Sequence, residues 1–268
     1  MTTTYTPIAL AITHHDPGGV LYSQLEHHLP GLSKLFAGIA ANVSPETHAP
    51  SLALLQGAGV KMQVERREET HDGMPQLGKV RRAALALALQ LETPFLMYCD
   101  GDRLLHWLAN YPSELAAVLA RLPAADFTIL GRTRRAFASH PAIQYDTEQI
   151  INRVYASISG RSWDITAGAR GLSRRVAQAI VHGCLDDSTG VDAAWPLFLQ
   201  RAGHFSIDEI QTEGLQFETA DQYPSEVAAL GGESAWKAQL DATPRHWLFR
   251  LRLAHIEVLS MLPYAEKL

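Results

Sequence analysis

The chain reads as an α/β protein, with a mostly parallel central sheet flanked by helices and a helical extension at its C-terminal end. Three observations predict this. Short apolar runs alternate with helical stretches through the first half. The helix in "MPQLGKVRRAALALALQLE" is the strongest helix signal in the chain, rich in alanine and leucine. The apolar runs also end in polar residues: His14, His15 and Asp16; then Asn42, Ser44 and Thr47; then Asp100 and Asp102. In open parallel sheets the ligand crevice lies beyond the strand carboxyl ends, so polar residues belong there.

The elements follow in order. "YTPIALAITHHDP" is a buried strand over 8–13, and the helix after it sets Leu21, Leu25, His28 and Leu29 on one face. "KLFAGIAANVSPET" is a second strand over 35–43, closed by Ser44 and Pro45; "APSLALLQGAG" is a short helix with Ser51 near its start. "VKMQVERRE" is a third strand, and the alanine-rich helix then feeds a fourth, "PFLMYCDGD". "YPSELAAVLARLP" is a helix with Ser113 as N-cap, and "ADFTILGRTRRAFASHP" is a fifth strand running into a basic loop. "QYDTEQIINRVYASISG" is a helix. "DITAGARGLSRRVAQAIVHG" passes through a glycine turn into another, and "STGVDAAWPLFLQRAG" is a third, with Asp192 near its start. "HFSIDEIQTEGLQFET" is a strand or hairpin, followed by a glycine-containing link, "ALGGES", and a long helix over 244–262.

Composition narrows the class. The chain has 268 residues, 47% hydrophobic and 19% charged, as an ordinary globular protein has. A net charge of −5 argues against general nucleic-acid binding but leaves room for a small anion held by local arginines. No apolar run approaches a membrane span, and "MTTTYTPIALAITHHDP" lacks the basic start of a secretion signal. Cys99 and Cys184 make no disulfide framework, so a reduced, cytoplasmic setting is expected.

The chemistry centres on "PFLMYCDGDRLLHW", where Asp100 and Asp102 flank Gly101 at a strand end with Arg103 directly behind. Two carboxylates so spaced approach one hard cation if the glycine lets the backbone turn, and magnesium or manganese is usually held by one or two carboxylates plus substrate phosphates. The alternative is an exposed acidic turn. In "LGRTRRAFASHP", Arg132, Arg134, Arg135 and His140 could hold an anionic acceptor or a diphosphate, or pair with structural acids such as Glu148. Lys79 and Arg82 lie one turn apart and either face the phosphates or form a solvent face. Neither His14-His15 nor His27-His28 has zinc-ligand spacing, Ser173 lacks a nucleophile elbow, and no G-K-[ST] follows "HDPGG". The C-terminal helix is amphipathic and is expected to pack on the core or on a second copy in a homodimer. The chain's acidity argues against a membrane-surface role.

"YCDGDR", preceded by the helix that carries Lys79, Arg81 and Arg82, resembles the metal-binding D-x-D segment of GT-A-fold, family 2-like glycosyltransferases. "GARGLSRRVAQAI" resembles their acceptor segment and "STGVDAAWPLFLQRAGHFSIDEI" the segment after it, in the same order, over roughly residues 5 to 220. The whole is similar to the branch that includes mannosylglycerate and glucosyl-3-phosphoglycerate synthases. The resemblance implies one GT-A-like (Rossmann-like) domain over 1–268: a nucleotide-binding half over 1–110, an acceptor half over 111–225 and a helical extension over 226–268. It implies a UDP- or GDP-linked sugar donor, Mn2+ or Mg2+, and an acceptor that Arg132, Arg134 and Gly168 would contact. Thr13, His14 and His15 would lie beside the nucleotide, Ser44 and Thr47 near the base or ribose, Lys79 and Arg82 by the phosphates, and Asp100 by the ribose or sugar. Asp102, with Asp100, would bind the metal, and Asp192 would take the acceptor's proton. One departure stands out: the late histidine ligand of several such enzymes is missing, so either a carboxylate, Glu218 or Asp221, substitutes or the metal is held mainly by Asp102, phosphates and water. The alternatives are a nucleotidyltransferase of related architecture, and a glycosyltransferase-like protein that binds without turnover.

Overall fold

The computed structural model describes residues 6–70 and 73–265, so both ends of the expected 1–268 span lie outside it. In chain order the elements are β1 (Ile8–His14), α1 (Tyr22–Leu35), β2 (Gly38–Val43), α2 (Ala49–Gly57), β3 (Lys61–Val64), α3 (Leu77–Ala88), β4 (Phe95–Asp100), α4 (Gly101–Asn110), α5 (Pro112–Arg121) and β5 (Phe127–Arg132). Then come α6 (Arg134–Ala138), α7 (Ala142–Ser159), β6 (Ala169–Ser173), α8 (Arg174–Gly183), α9 (Val191–Ala202), β7 (Ile207–Thr212), α10 (Pro224–Ala229), α11 (Glu233–Ala242) and α12 (Pro244–Ala265).

The strands form one sheet in the order β3-β2-β1-β4-β6-β5-β7. All neighbours run parallel except β6, which is antiparallel to β4 and to β5. Strand β1 is buried along its whole length, as a central parallel strand must be. Its alternation sorts side chains by size. Ile8, Leu10 and Ile12 face the layer that holds Leu25, Leu29 and Trp107, whereas Ala9 and Ala11 face the layer of Ala84, Ala88 and Trp195. Small residues on that second face let the alanine-rich α3 lie close against the sheet.

Several boundaries differ from the expectations. The second strand starts at Gly38 because Leu35 closes the last turn of α1, whose C-cap is Phe36. The fourth strand stops at Asp100, and "GDRLLHWLAN" is a helix with its first turn at Asp102. Ser113 is not an N-cap: Pro112 takes the first helical position of α5, where its missing N–H costs nothing. The basic stretch after β5 is the short helix α6, capped by Thr133, and the 207–212 segment is a single strand. The link "ALGGES" separates two further helices, α10 and α11.

Candidate functional site

Parallel pairing sets the ends of β1 and β4 side by side: Thr13 is in register with Asp100, and with Asn42 on the other flank. A cavity of about 250 Å³ opens there. Six of the residues named from the sequence line it: Thr13, His14, His15, Asp100, Asp102 and Glu218. They are joined by Arg67, Arg81, Arg103 and Gln222.

Asp100 is fully engaged by protein groups. Its Oδ1 accepts from the hydroxyls of Thr13 (2.8 Å) and Tyr98 (2.5 Å), and its Oδ2 from Arg81 (2.8 Å). Burial alone would raise its pKa, but Arg81, Arg103 and the two hydroxyls outweigh burial and bring it down to about 2. Asp102 differs. It begins α4, accepts from the Arg103 amide (2.9 Å) and from Gln222 (2.6 Å), and its pKa is raised by burial and then by Asp100. Glu218 likewise has a raised pKa, from burial against the opposing pull of Arg103, whose Nε lies 3.4 Å away. Its Oε2 is buried without a hydrogen-bond partner.

Gly101 is required by close approach: a Cβ there would lie 2.9 Å from the Thr13 carbonyl oxygen. Gly168 is required twice over. Its φ is +65°, and a Cβ would meet Asp100 Oδ2 at 2.9 Å and Arg81 Nη2 at 3.1 Å.

The donor set fits a hard divalent cation in one respect and restricts it in another. Asp102 and Glu218 are oxygen donors whose ionised forms burial disfavours, so a cation would restore what burial removes. Among the described residues no group of three or more His, Cys, Asp or Glu side chains is placed to hold a metal ion. Asp100 is occupied by Arg81, Tyr98 and Thr13, and Asp221 receives His106 at 2.8 Å. A cation bound here would have at most these two carboxylates from the protein and would take its remaining ligands from phosphate and water.

His14 is 3% exposed, and burial lowers its pKa to about 4 despite the nearby Asp16, so its ring is neutral; its Nε2 has no hydrogen-bond partner. Ser44 and Thr47 do not reach the cavity. They are buried behind it in a chain of contacts, His15 Nδ1 to Ser44 Oγ at 2.6 Å and Ser44 to Thr47 at 3.1 Å, which orients His15.

Lys79 and Arg82 also lie off the cavity: Lys79 pairs with Glu68 at 2.9 Å, and Arg82 pairs with Asp187 and the Asp186 carbonyl. Arg81, not Lys79 or Arg82, lines the cavity. It bridges Asp100 (2.8 Å) and Asp192 (2.9 Å), and those two acids hold its charge firmly against the cost of burial. The signal was present, because position 81 lies four residues from both Leu77 and Leu85 and so on the inward face of α3.

Asp192 lines a smaller chamber of about 100 Å³, together with Thr189, Arg250 and Glu257. Arg81 and Arg103 line both spaces. Asp192 Oδ1 accepts from Arg81 and, at 3.0 Å, from Arg170. Burial pushes the Glu257 carboxyl well above the usual glutamate range, with Asp192 and Glu148 adding to the effect. Five polar atoms around this chamber are buried without partners: Arg81 Nε, Arg103 Nη1, Arg250 Nε, Thr189 Oγ1 and Glu257 Oε2.

The basic segment is divided. Arg132 has a fully buried side chain that donates to Asp164 (2.7 Å), Glu148 (2.6 Å) and Thr166 (2.7 Å). It is an ion-pair centre rather than a free anion receptor. Arg134 is exposed on a groove that shares no lining residue with the Asp100 cavity.

No family model and no curated protein sequence matches the chain. Solved structures do: the arrangement is that of the GT-A glycosyltransferase fold. Glucosyl-3-phosphoglycerate synthase from Mycobacterium tuberculosis, in complex with Mn2+, UDP and phosphoglyceric acid, aligns at TM-score 0.50 and 13% identity over 77% of this chain and 68% of that one. The same enzyme with Mn2+, UDP-glucose and phosphoglyceric acid aligns at 0.50 and 12%, over 77% and 69%. Another mycobacterial protein aligns at 0.51 and 12%, over 77% and 65%. At this identity the likeness establishes the fold.

Proposed function

We propose that the protein is a glycosyltransferase that moves a sugar from a UDP-linked donor to a hydroxyl of an anionic acceptor, with a divalent cation at Asp102 and Glu218. One observation carries the reading: donor-side residues from β1, β4, α3, α4 and the segment after β7 converge on a single cavity where the strands end. The neighbouring structures of this fold that hold UDP and Mn2+ support the choice of donor and metal.

Arg67, Arg81 and Arg103 would stabilise the departing diphosphate electrostatically. A cation held by Asp102 and Glu218 supplies further neutralisation of that charge when bound. Neutral His14 would offer a hydrogen bond rather than a charge. In the smaller chamber, Arg103, Arg250 and Thr189 would receive the acceptor's anionic group. Asp192, clamped by two arginines, would orient the hydroxyl, and protonated Glu257 would donate to the acceptor. On this reading residues 1–110 supply most of the donor side, Glu218 and Gln222 join it from the 111–225 segment, and Arg250 and Glu257 of the 226–268 extension close the acceptor side.

The test is thermal stabilisation by UDP, UDP-glucose and GDP-, ADP- and dTDP-sugars with and without Mn2+, followed by donor hydrolysis. Asp102→Asn should lose the Mn2+-dependent increment and keep a metal-free response to UDP. No stabilisation by any nucleotide sinks the reading. The arginine clamp on Asp192 favours, as a second reading, binding without turnover; stabilisation by UDP-glucose with neither hydrolysis nor transfer would select it. A nucleotidyltransferase gains no support from the loop after β1, where the Val20 and Leu21 amides are spent on Asp16 (both 2.9 Å) instead of facing a phosphate.

A further inference from the structure

We propose that α12 is a docking face for an anionic membrane surface, a role independent of the sugar-transfer reading. The helix has 22 residues, and residues three and four apart share a face. Ala254, Glu257 and Met261 form its buried face, with α7 and α9 as neighbours. Another face carries Leu248, Leu251, Leu259 and Leu262, each about half exposed, with the exposed His255 between the two pairs. With Phe249 these make five of the twelve large hydrophobic side chains exposed among the described residues. Exposure is thus concentrated on one helix, and concentrated apolar exposure marks an interaction surface.

Charge selects the occupant. Arg245 and Arg252 are exposed beside these leucines, and the helix's one acid, Glu257, is buried on the inner face. A second copy packed across the leucines about a two-fold axis would bring arginines from both helices together, with no exposed carboxylate on α12 to receive them. Lipid phosphates would receive them. The same helix also borders a mainly apolar cavity of about 530 Å³, lined by Phe217, Tyr223, Trp236 and Phe249; Arg245 and Glu226 stand at it, and Arg250 lines it while paired with Glu148. The apolar space would suit a lipid chain, with Arg245 as the cation left for its headgroup. No helix among the described residues is long and apolar enough to cross a membrane, so the contact would be at the surface. The chain's net charge of −5, which argued against such a contact, does not describe this face.

The experiment is co-sedimentation of the whole protein with phosphatidylcholine vesicles, with and without phosphatidylglycerol. Binding should require the anionic lipid and weaken as salt is raised. Arg245→Gln with Arg252→Gln should reduce it by about 30-fold. Leu248→Ser, Leu251→Ser, Leu259→Ser and Leu262→Ser together should abolish it while the far-UV circular dichroism and UDP response persist, since all four side chains already meet solvent. Failure of the unaltered protein to bind anionic vesicles overturns the proposal, as does binding that survives both sets of changes. A mass that doubles with concentration, reverts on the serine changes and occurs without vesicle binding overturns it in favour of a second copy.

Discussion

Arg132→Met should act on stability, not on acceptor affinity. The arginine donates to Glu148 and Asp164 from a fully buried position, and methionine keeps only the apolar stem, losing the guanidinium that lies 4.4 Å from the Phe137 ring centroid. Removing one partner of a buried ion pair costs about 3–5 kcal/mol, because the remaining charge is left uncompensated. Here both carboxylates keep other donors. Glu148 retains Arg250 (2.5 Å) and Gln144 (2.9 Å), and Asp164 retains Asn152 (3.0 Å) and the residue-132 amide (2.9 Å). The loss should therefore fall near the lower end, about 3 kcal/mol. For a chain of this size that corresponds to a Tm lowered by roughly 6–12 °C in a thermal melt. Arg132→Lys should lie between, since it keeps the charge and loses the planar fork that serves both acids. Adding Glu148→Gln and Asp164→Asn to Arg132→Met should recover part of the loss. An unchanged Tm with a selectively raised acceptor KM would refute this reasoning and return Arg132 to the acceptor site.

Glu257→Gln should raise Tm, and more at pH 8 than at pH 5: the folded state holds this acid protonated, so folding pays for ionisation of the unfolded chain as pH rises above the usual glutamate range. His14 and His140 give the opposite slope. Burial lowers them to about 4 and about 3, so stability present above the unfolded value is lost as pH falls below it. From pH 7 to 5 the loss should be about 2 kcal/mol for each, visible in urea melts and reduced in His140→Gln. Gly168→Ala should weaken nucleotide binding as well as lower Tm, because its Cβ would push into the Arg81–Asp100 pair; stability loss with UDP affinity intact would argue against that coupling.

Much of the strand-end cavity was legible because it follows from chain-local rules. A buried run ending in polar residues places those residues at a strand's carboxyl end, and parallel pairing gathers such ends. His14, His15, Asp100 and Asp102 follow from this rule, and Thr13 from the resemblance; Ser44 and Thr47, also at a strand end, lie behind the cavity. Side-chain direction was not legible on the same terms. In α3, the one-turn spacing singled out Lys79 and Arg82 as facing either phosphates or solvent, whereas the residue that turns into the cavity is Arg81. Glu257 sits at a three- and four-residue spacing from Ala254 and Met261, the same signal, also unread.

By itself the sequence determined the alternation of strands and helices, the apolar content of each and the polar strand ends, since all depend on spacings within one element. Tertiary structure alone decided which partner each charge takes. Arg132 and Arg81 look alike in sequence, yet one closes on Glu148 and Asp164 inside the protein and the other spans Asp100 and Asp192 at the cavity wall. Ion-pair partners come from elements distant in the chain, brought together by the packing of the sheet's two layers, and no local pattern records that meeting.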